Sequence, residues 1–357
     1  MKYKTKHRLT PKRLLFIAAY GLCCILFILL AVELIYRFQL IDTYLPELRS
    51  YNPKEDLADN GGRKTILIMG DSMTAGNKSY PGIMRDKVPG YRVINSGVSG
   101  TCILETALTG PKRFAEFKPS VFVYQVYVGN DLFEIRHPVN WKAIPFLRNV
   151  YWVLSNHLRS LVYLNYRLMQ RFVGLHQALS GTKDRRPNKE QGIDVNIAET
   201  ETFSAETYTS RTRINLRAEP YLFENQIMAG GNQRKEFEIF LNELKVVLSL
   251  CREGECQAYV LVIPQCCQIS DHYLSIMKLI GARFDHPTEI HQDEYPFVAE
   301  TKKALAYKSN VSLLNPIQSL RKGETEGKSM YFQNDEHLTE DGQTAIAEFI
   351  VSYLKLE

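Results

Sequence analysis

With 357 residues, 45% of them apolar and 23% charged, the chain has the length and composition to bury a large core, which excludes the disordered and fibrous classes. Its formal net charge of +5 is owed to the first 13 residues, where Lys2, Lys4, Lys6, Arg8, Lys12 and Arg13 stand without an acid, so the remainder sits near −1. A domain with no positive excess of its own gives no reason to expect a nucleic-acid partner.

Taken in chain order, residues 1–13 read as a basic cytoplasmic tail. Leu14 to Ile35 is a 22-residue apolar run broken only by Glu33, long enough to cross a bilayer core. Only Arg37 follows it closely, so the positive-inside rule places the amino terminus in the cytoplasm and everything after residue 36 outside. A cleaved signal peptide would have an apolar core of about 7–15 residues and a small-x-small site, which Ala31-Val32-Glu33 does not supply. Residues 14–36 therefore read as a transmembrane signal anchor. Residues 37–63, with Pro46 and Pro53, read as a polar connector to an extracytoplasmic (periplasmic or extracellular) domain at 64–357.

Five β-type runs follow: Thr65 to Gly70, Tyr91 to Val98, Val121 to Val128, Gln257 to Pro264 and Val311 to Asn315. Helical segments separate them, notably Ile103 to Phe117 and Arg234 to Cys251, the latter with apolar residues at three- and four-residue spacing. A last helix starts near the N-cap Thr339, with Ile346, Phe349, Ile350, Tyr353 and Leu354 on one face. This alternation predicts a three-layer α/β/α sandwich with a five-stranded parallel sheet, flavodoxin-like in plan.

An insertion at about 141–233 is too long for a plain crossover. Residues 141–177 are aromatic-rich and read as helical, and Tyr151, Trp152, Tyr163 and Tyr166 suit a position at the bilayer surface. Ser180 to Glu219 is polar and charged. It reads equally as a lid or platform beside the site and as a partly disordered excursion.

Outside the apolar run lie Cys102, Cys251, Cys256, Cys266 and Cys267, an odd number, so at least one is free. Cys251 and Cys256 bracket a turn that an oxidising compartment would let them bridge; two unbridged, half-buried cysteines are the equal alternative. No cluster has zinc-ligand spacing, and no metal or other cofactor is expected.

Four short blocks carry the chemistry. They are Gly70-Asp71-Ser72 at the end of the first run, Asn95-Ser96-Gly97-Val98-Ser99-Gly100 after the second, Gly129-Asn130-Asp131 after the third, and Asn334-Asp335-Glu336-His337 before the last helix. A serine alone at such a turn is more often structural. A phosphate loop is excluded because Asn77 separates Gly76 from Lys78-Ser79.

In order and content the four blocks resemble the SGNH (GDSL) hydrolases, with Ser72, Gly100, Asn130 and His337 at the defining positions, across roughly residues 64–135 and 256–357. The resemblance implies a serine nucleophile, Ser72, activated by His337, and an oxyanion hole made by the backbone N–H groups of Ser72 and Gly100 and the side-chain amide of Asn130. It makes Asp131 a structural residue that ties its loop to neighbouring backbone. The fourth block departs from the family's commonest form, which has aspartate three residues before the histidine; Asn334 stands there, and Asp335 is two before. That Asp-x-His spacing is similar to SGNH-type acyl-transfer enzymes of polysaccharide acetylation, so Asp335 is taken as the orienting acid.

The implied function is ester cleavage through an acyl-enzyme, the substrate carrying an O-acyl group such as the acetyl of an acetylated glycan. Two other readings stand beside it: an O-acetyltransferase acting on a cell-surface or secreted polysaccharide, and a catalytically silent glycan-binding domain.

Overall fold

The computed structural model describes residues 10–58, 62–168 and 202–355. Five all-parallel strands, β1 (Lys64–Met69), β2 (Tyr91–Asn95), β3 (Val121–Tyr127), β4 (Gln257–Ile263) and β5 (Val311–Leu314), form one sheet in the order β2-β1-β3-β4-β5. The central strands are buried along nearly their whole length, as strands covered on both faces must be, which is why they read as unbroken apolar runs. Helices Ile103–Phe117 and Arg234–Ser249 pack together on one face, and Tyr80–Lys87 packs with the final helix Glu340–Leu354 on the other. The predicted three-layer sandwich is the observed one.

The strand order reverses between β1 and β3, because β1 connects outward to β2 while β3 lies on its opposite side. Loops leaving adjacent strands in opposite directions open a crevice at the carboxyl edge. The first and third blocks, with Ser72 and Asn130, leave β1 and β3 at that point.

The amino-terminal helix Pro11–Arg37 is long and apolar enough to cross a membrane, and its outer apolar side chains are exposed. Its last turn is docked. The Glu33 carboxylate, buried against segment 159–168, accepts from the backbone N–H groups of Arg159 (3.1 Å) and Ser160 (2.9 Å) and from Arg37 Nε (2.6 Å). Tyr36 and Tyr44 share a hydroxyl hydrogen bond of 2.9 Å, with the Tyr163 ring packed against both. The segment after it, read from sequence as a polar connector, contains the short helices Leu45–Tyr51 and Lys54–Leu57, and Asp42 holds Arg113 by two 2.8 Å hydrogen bonds.

The aromatic residues of the insertion do not take the position expected of them. Trp152 lies buried between Phe133 and His137, stacked on the imidazole at 5.5 Å; Tyr163 packs on Tyr36, and Tyr166 donates to Glu47 at 3.2 Å. The inward face of helix Phe146–Ser155 takes Asn149, Trp152 and Ser155. Among the described residues of the insertion, the exposed rings are Trp141 and Phe146. Residues 169–201, which hold most of the charged stretch, lie outside the described residues.

Candidate active site

The turn after β1 is built by close approach. A Cβ on Gly70 would fall 2.3 Å from Gln125 Oε1 and 2.6 Å from Thr74 Oγ1, so only glycine admits the Gln125 amide, which accepts from Asp71 N (3.1 Å) and from Thr74 Oγ1 (2.8 Å). Asp71 Oδ1 accepts from Met73 N at 2.8 Å, closing an Asx turn that lifts Ser72 to the sheet edge. Asn95, at the end of β2, donates to Thr74 O (2.9 Å) and Gly76 O (2.8 Å) and accepts from Gly97 N (2.9 Å). The first and second blocks are thereby fixed to each other.

Gly100 has φ +73°, a left-handed conformation that a side chain would strain. Asn130 follows β3 at φ −148°, buried to 7% exposure, and its amide makes no hydrogen bond among the described residues. Asp131 Oδ2 accepts from Tyr127 N at 3.1 Å, the loop-tying contact that the resemblance implies.

The fourth block sits on a loop closed by the bridge Tyr331↔Leu338, with Phe332 N donating to His337 O at 3.0 Å, and Tyr127 Oη donates to Glu336 O at 3.3 Å. The final helix begins where expected: Thr339 accepts from Gly342 N at 3.2 Å, and Gln343 reaches back to Met73 O at 3.2 Å and accepts from Tyr80 N at 2.9 Å. With the loop so held, His337 Nε2 lies 2.8 Å from Ser72 Oγ. Its Nδ1 meets Asp335 Oδ1, which also accepts from His337 N at 2.9 Å. The structure thus brings Ser72, His337 and Asp335 into one hydrogen-bonded line across 265 residues of chain.

Burial pulls the His337 imidazole pKa down, but the facing Asp335 carboxylate, its hydrogen bond and the carboxyls of Glu336 and Asp71 outweigh it, leaving the pKa above the ordinary histidine value. Glu336, also buried, is raised to about 7 by desolvation, with Asp335 adding to the shift and His337 and Arg211 opposing it. Beneath the serine turn, burial also raises Asp71 and lifts Asp131 further, the Asp71 charge adding to the second.

Sequence reasoning did not find Glu134 and Arg211. The buried Glu134 carboxylate is ion-paired to Arg211 and lies 3.6 Å from His137 Nε2; desolvation opposes its ionisation, yet the Arg211 charge holds its pKa down at about 2. Arg211 belongs to helix Ser210–Ala218, which has no apolar periodicity strong enough to announce it. What brings that helix to the site is Asn334: its Oδ1 accepts from Ser204 N (2.8 Å), its Nδ2 donates to Thr202 O (3.3 Å), and its carbonyl accepts from Thr209 N (3.1 Å). The only prior signal was the asparagine where the family commonly has aspartate.

Cys251 and Cys256 form a disulfide with Cα atoms 5.2 Å apart. Cys102, Cys266 and Cys267 are free and buried, their thiols pushed up by desolvation, which makes them inert. Among the described residues no group of three or more histidine, cysteine or acidic side chains could hold a metal.

No protein-family model and no curated protein matches the chain. Solved structures do: a GDSL-like lipase from Bacteroides thetaiotaomicron (12% identity, covering 88% of this chain and 96% of that one, TM-score 0.39) and a catalytic mutant of an acetylxylan esterase from Geobacillus stearothermophilus (9%, 82% and 95%, TM-score 0.40). An alpha/beta hydrolase from the metagenome of Lake Arreo, Spain, aligns with 11% identity over 82% of this chain and 95% of that one, at TM-score 0.38. At these values the likenesses carry no argument about chemistry, which rests on the site itself. In block order, strand order and the alignment of serine, histidine and aspartate, the chain is similar to the SGNH/GDSL hydrolases.

Proposed function

We propose that the protein is a serine esterase that cleaves an O-acyl ester, acetyl being the group best matched to the resemblance, through an acyl-enzyme on Ser72. The observation that carries this reading is the 2.8 Å contact between Ser72 Oγ and His337 Nε2, with Asp335 on the other ring nitrogen. His337 takes the hydroxyl proton as Ser72 Oγ attacks the ester carbonyl. Asp335 fixes the tautomer and stabilises the imidazolium. The oxyanion is received by the N–H groups of Ser72 and Gly100 and by the Asn130 amide, which has no partner among the described residues to give up. His337 then returns the proton to the leaving alcohol, and water deacylates the serine by the same path in reverse.

We further propose that the domain is extracytoplasmic and held by the Pro11–Arg37 helix, a placement supported by the charge asymmetry around that helix and by the Cys251–Cys256 disulfide, a bond suited to oxidising compartments. The Asp335-x-His337 spacing favours a second reading, transfer of the acyl group to a glycan hydroxyl in place of water. Acetyl release from acetylated polysaccharides by the purified protein, with and without an added glycan acceptor, separates the two. A fluorophosphonate that fails to label Ser72 would sink both and leave a binding domain.

A further inference from the structure

Arg211 is more than a counter-ion for Glu134. Its Nη2 pairs with a carboxylate whose side chain is 5% exposed, whereas 51% of the Arg211 side chain is open to solvent. The Glu134 carboxylate takes Nη2 of a side chain that is otherwise half open to solvent. Nε and Nη1 have no hydrogen-bond partner among the described residues.

The free edge has a direction. Arg211 Nη1 lies 3.8 Å from the position a Cβ would take on Gly100, beside the N–H assigned above to the oxyanion hole. The helix that carries it, Ser210–Ala218, also bears Arg213 and Arg217 and no acid, and Arg213 Nε is buried without a hydrogen-bond partner among the described residues. Besides Glu134, the acidic group facing Arg211 is Glu336, buried on the loop that carries His337. Arg211 is held at Nη2 by Glu134, and the segment leading to its helix by the contacts of Asn334 with Thr202, Ser204 and Thr209, so the guanidinium is positioned before any ligand arrives.

We propose that Arg211 is the recognition group for an anionic ester, binding a carboxylate that the substrate carries close to its scissile carbonyl. This rests on the esterase reading of Ser72 and His337. A guanidinium with unengaged N–H donors and a full positive charge suits a carboxylate, which accepts charge-assisted hydrogen bonds, better than it suits a neutral hydroxyl. The carboxylate can lie on the acyl half, as in a half-ester of a dicarboxylic acid, or on the alcohol half, as in an O-acetylated uronic acid.

The test uses the full chain in detergent and two matched substrate pairs. For the acyl half these are 4-nitrophenyl hemisuccinate and 4-nitrophenyl butyrate; for the alcohol half, an O-acetylated methyl glucuronoside and its methyl ester. The wild-type chain should favour the charged member of one pair by about 10- to 100-fold in kcat/KM, the scale of one charge-assisted contact, and the pair that shows it names the half. Arg211→Gln should remove that preference, mainly through KM. Arg211→Lys, which keeps a cation against Glu134 and so protects the fold, should reduce it, because one ammonium cannot hold Glu134 and a substrate carboxylate with donors as far apart as those of the guanidinium. Equal rates on both members of both pairs, or variants that lower charged and neutral esters alike, would overturn the inference. Labelling of Ser72 by a fluorophosphonate keeps the two failures apart: with labelling intact and charge discrimination missing, only the role of Arg211 falls.

Discussion

Asn334 Oδ1 accepts a hydrogen bond from the backbone N–H of Ser204 at 2.8 Å, joining the loop that carries His337 to the chain at 202–209. An aspartate that oriented the histidine from this position could not hold that segment as well. In this chain Asp335 meets His337 and Asn334 is left to anchor residues 202–209.

Replacing either residue should therefore fail differently. Asp335→Asn should lower kcat by about 10²- to 10⁴-fold with little change in Tm, because an amide cannot stabilise the imidazolium. Asn334→Ala should leave Ser72 reactive to fluorophosphonate but cost about 1–3 kcal/mol of stability through two lost side-chain hydrogen bonds, and expose residues 202–209 to protease. A full loss of labelling in the Asn334 variant would contradict this division.

Ser72→Ala and His337→Ala should each reduce ester turnover by about 10⁴-fold or more, and the double variant by little beyond the worse single one, since the groups act as a unit. Circular dichroism and thermal melts should match the wild type, because Ser72 and His337 sit at the rim of the core. Additive losses would mean that they work independently.

The acid limb of kcat/KM should lie above the ordinary histidine pKa, because the base must be neutral and the Asp335 and Glu336 carboxyls hold its proton. Glu336→Gln removes one of those carboxyls, so the limb should move to lower pH. The sign for stability follows separately. Glu336 has a folded pKa of about 7, above its unfolded value, so it contributes stability at low pH that is lost as pH rises through 7. Glu336→Gln should accordingly flatten the loss of Tm between about pH 5 and 8. An unmoved limb and an unchanged Tm profile would refute the coupling.

A reporter fused after residue 60 should be active only outside the cytoplasm. In the same cells Cys251 and Cys256 should resist thiol alkylation until reduced. Cys251→Ser with Cys256→Ser should lower stability by about 2 kcal/mol, the chain-entropy value for so short a loop. Ready alkylation without reductant would place the domain in a reducing compartment.

What the sequence determined by itself is local or periodic: five apolar runs, the helices between them, the amino-terminal helix and four blocks whose residue types match acyl chemistry. The β1 run and the helix Ile103–Phe117 could be read because apolar spacing and turn residues are written in consecutive positions. Tertiary structure alone decided that Cys251 and Cys256 pair, that Trp152 faces inward, and that Arg211 stands beside Gly100. Each of these is a contact between segments whose relative placement depends on loop closure and packing. A polar helix such as Ser210–Ala218 is positioned by hydrogen bonds to a distant loop rather than by an apolar stripe, so its own residues carry no periodic signal of where it docks.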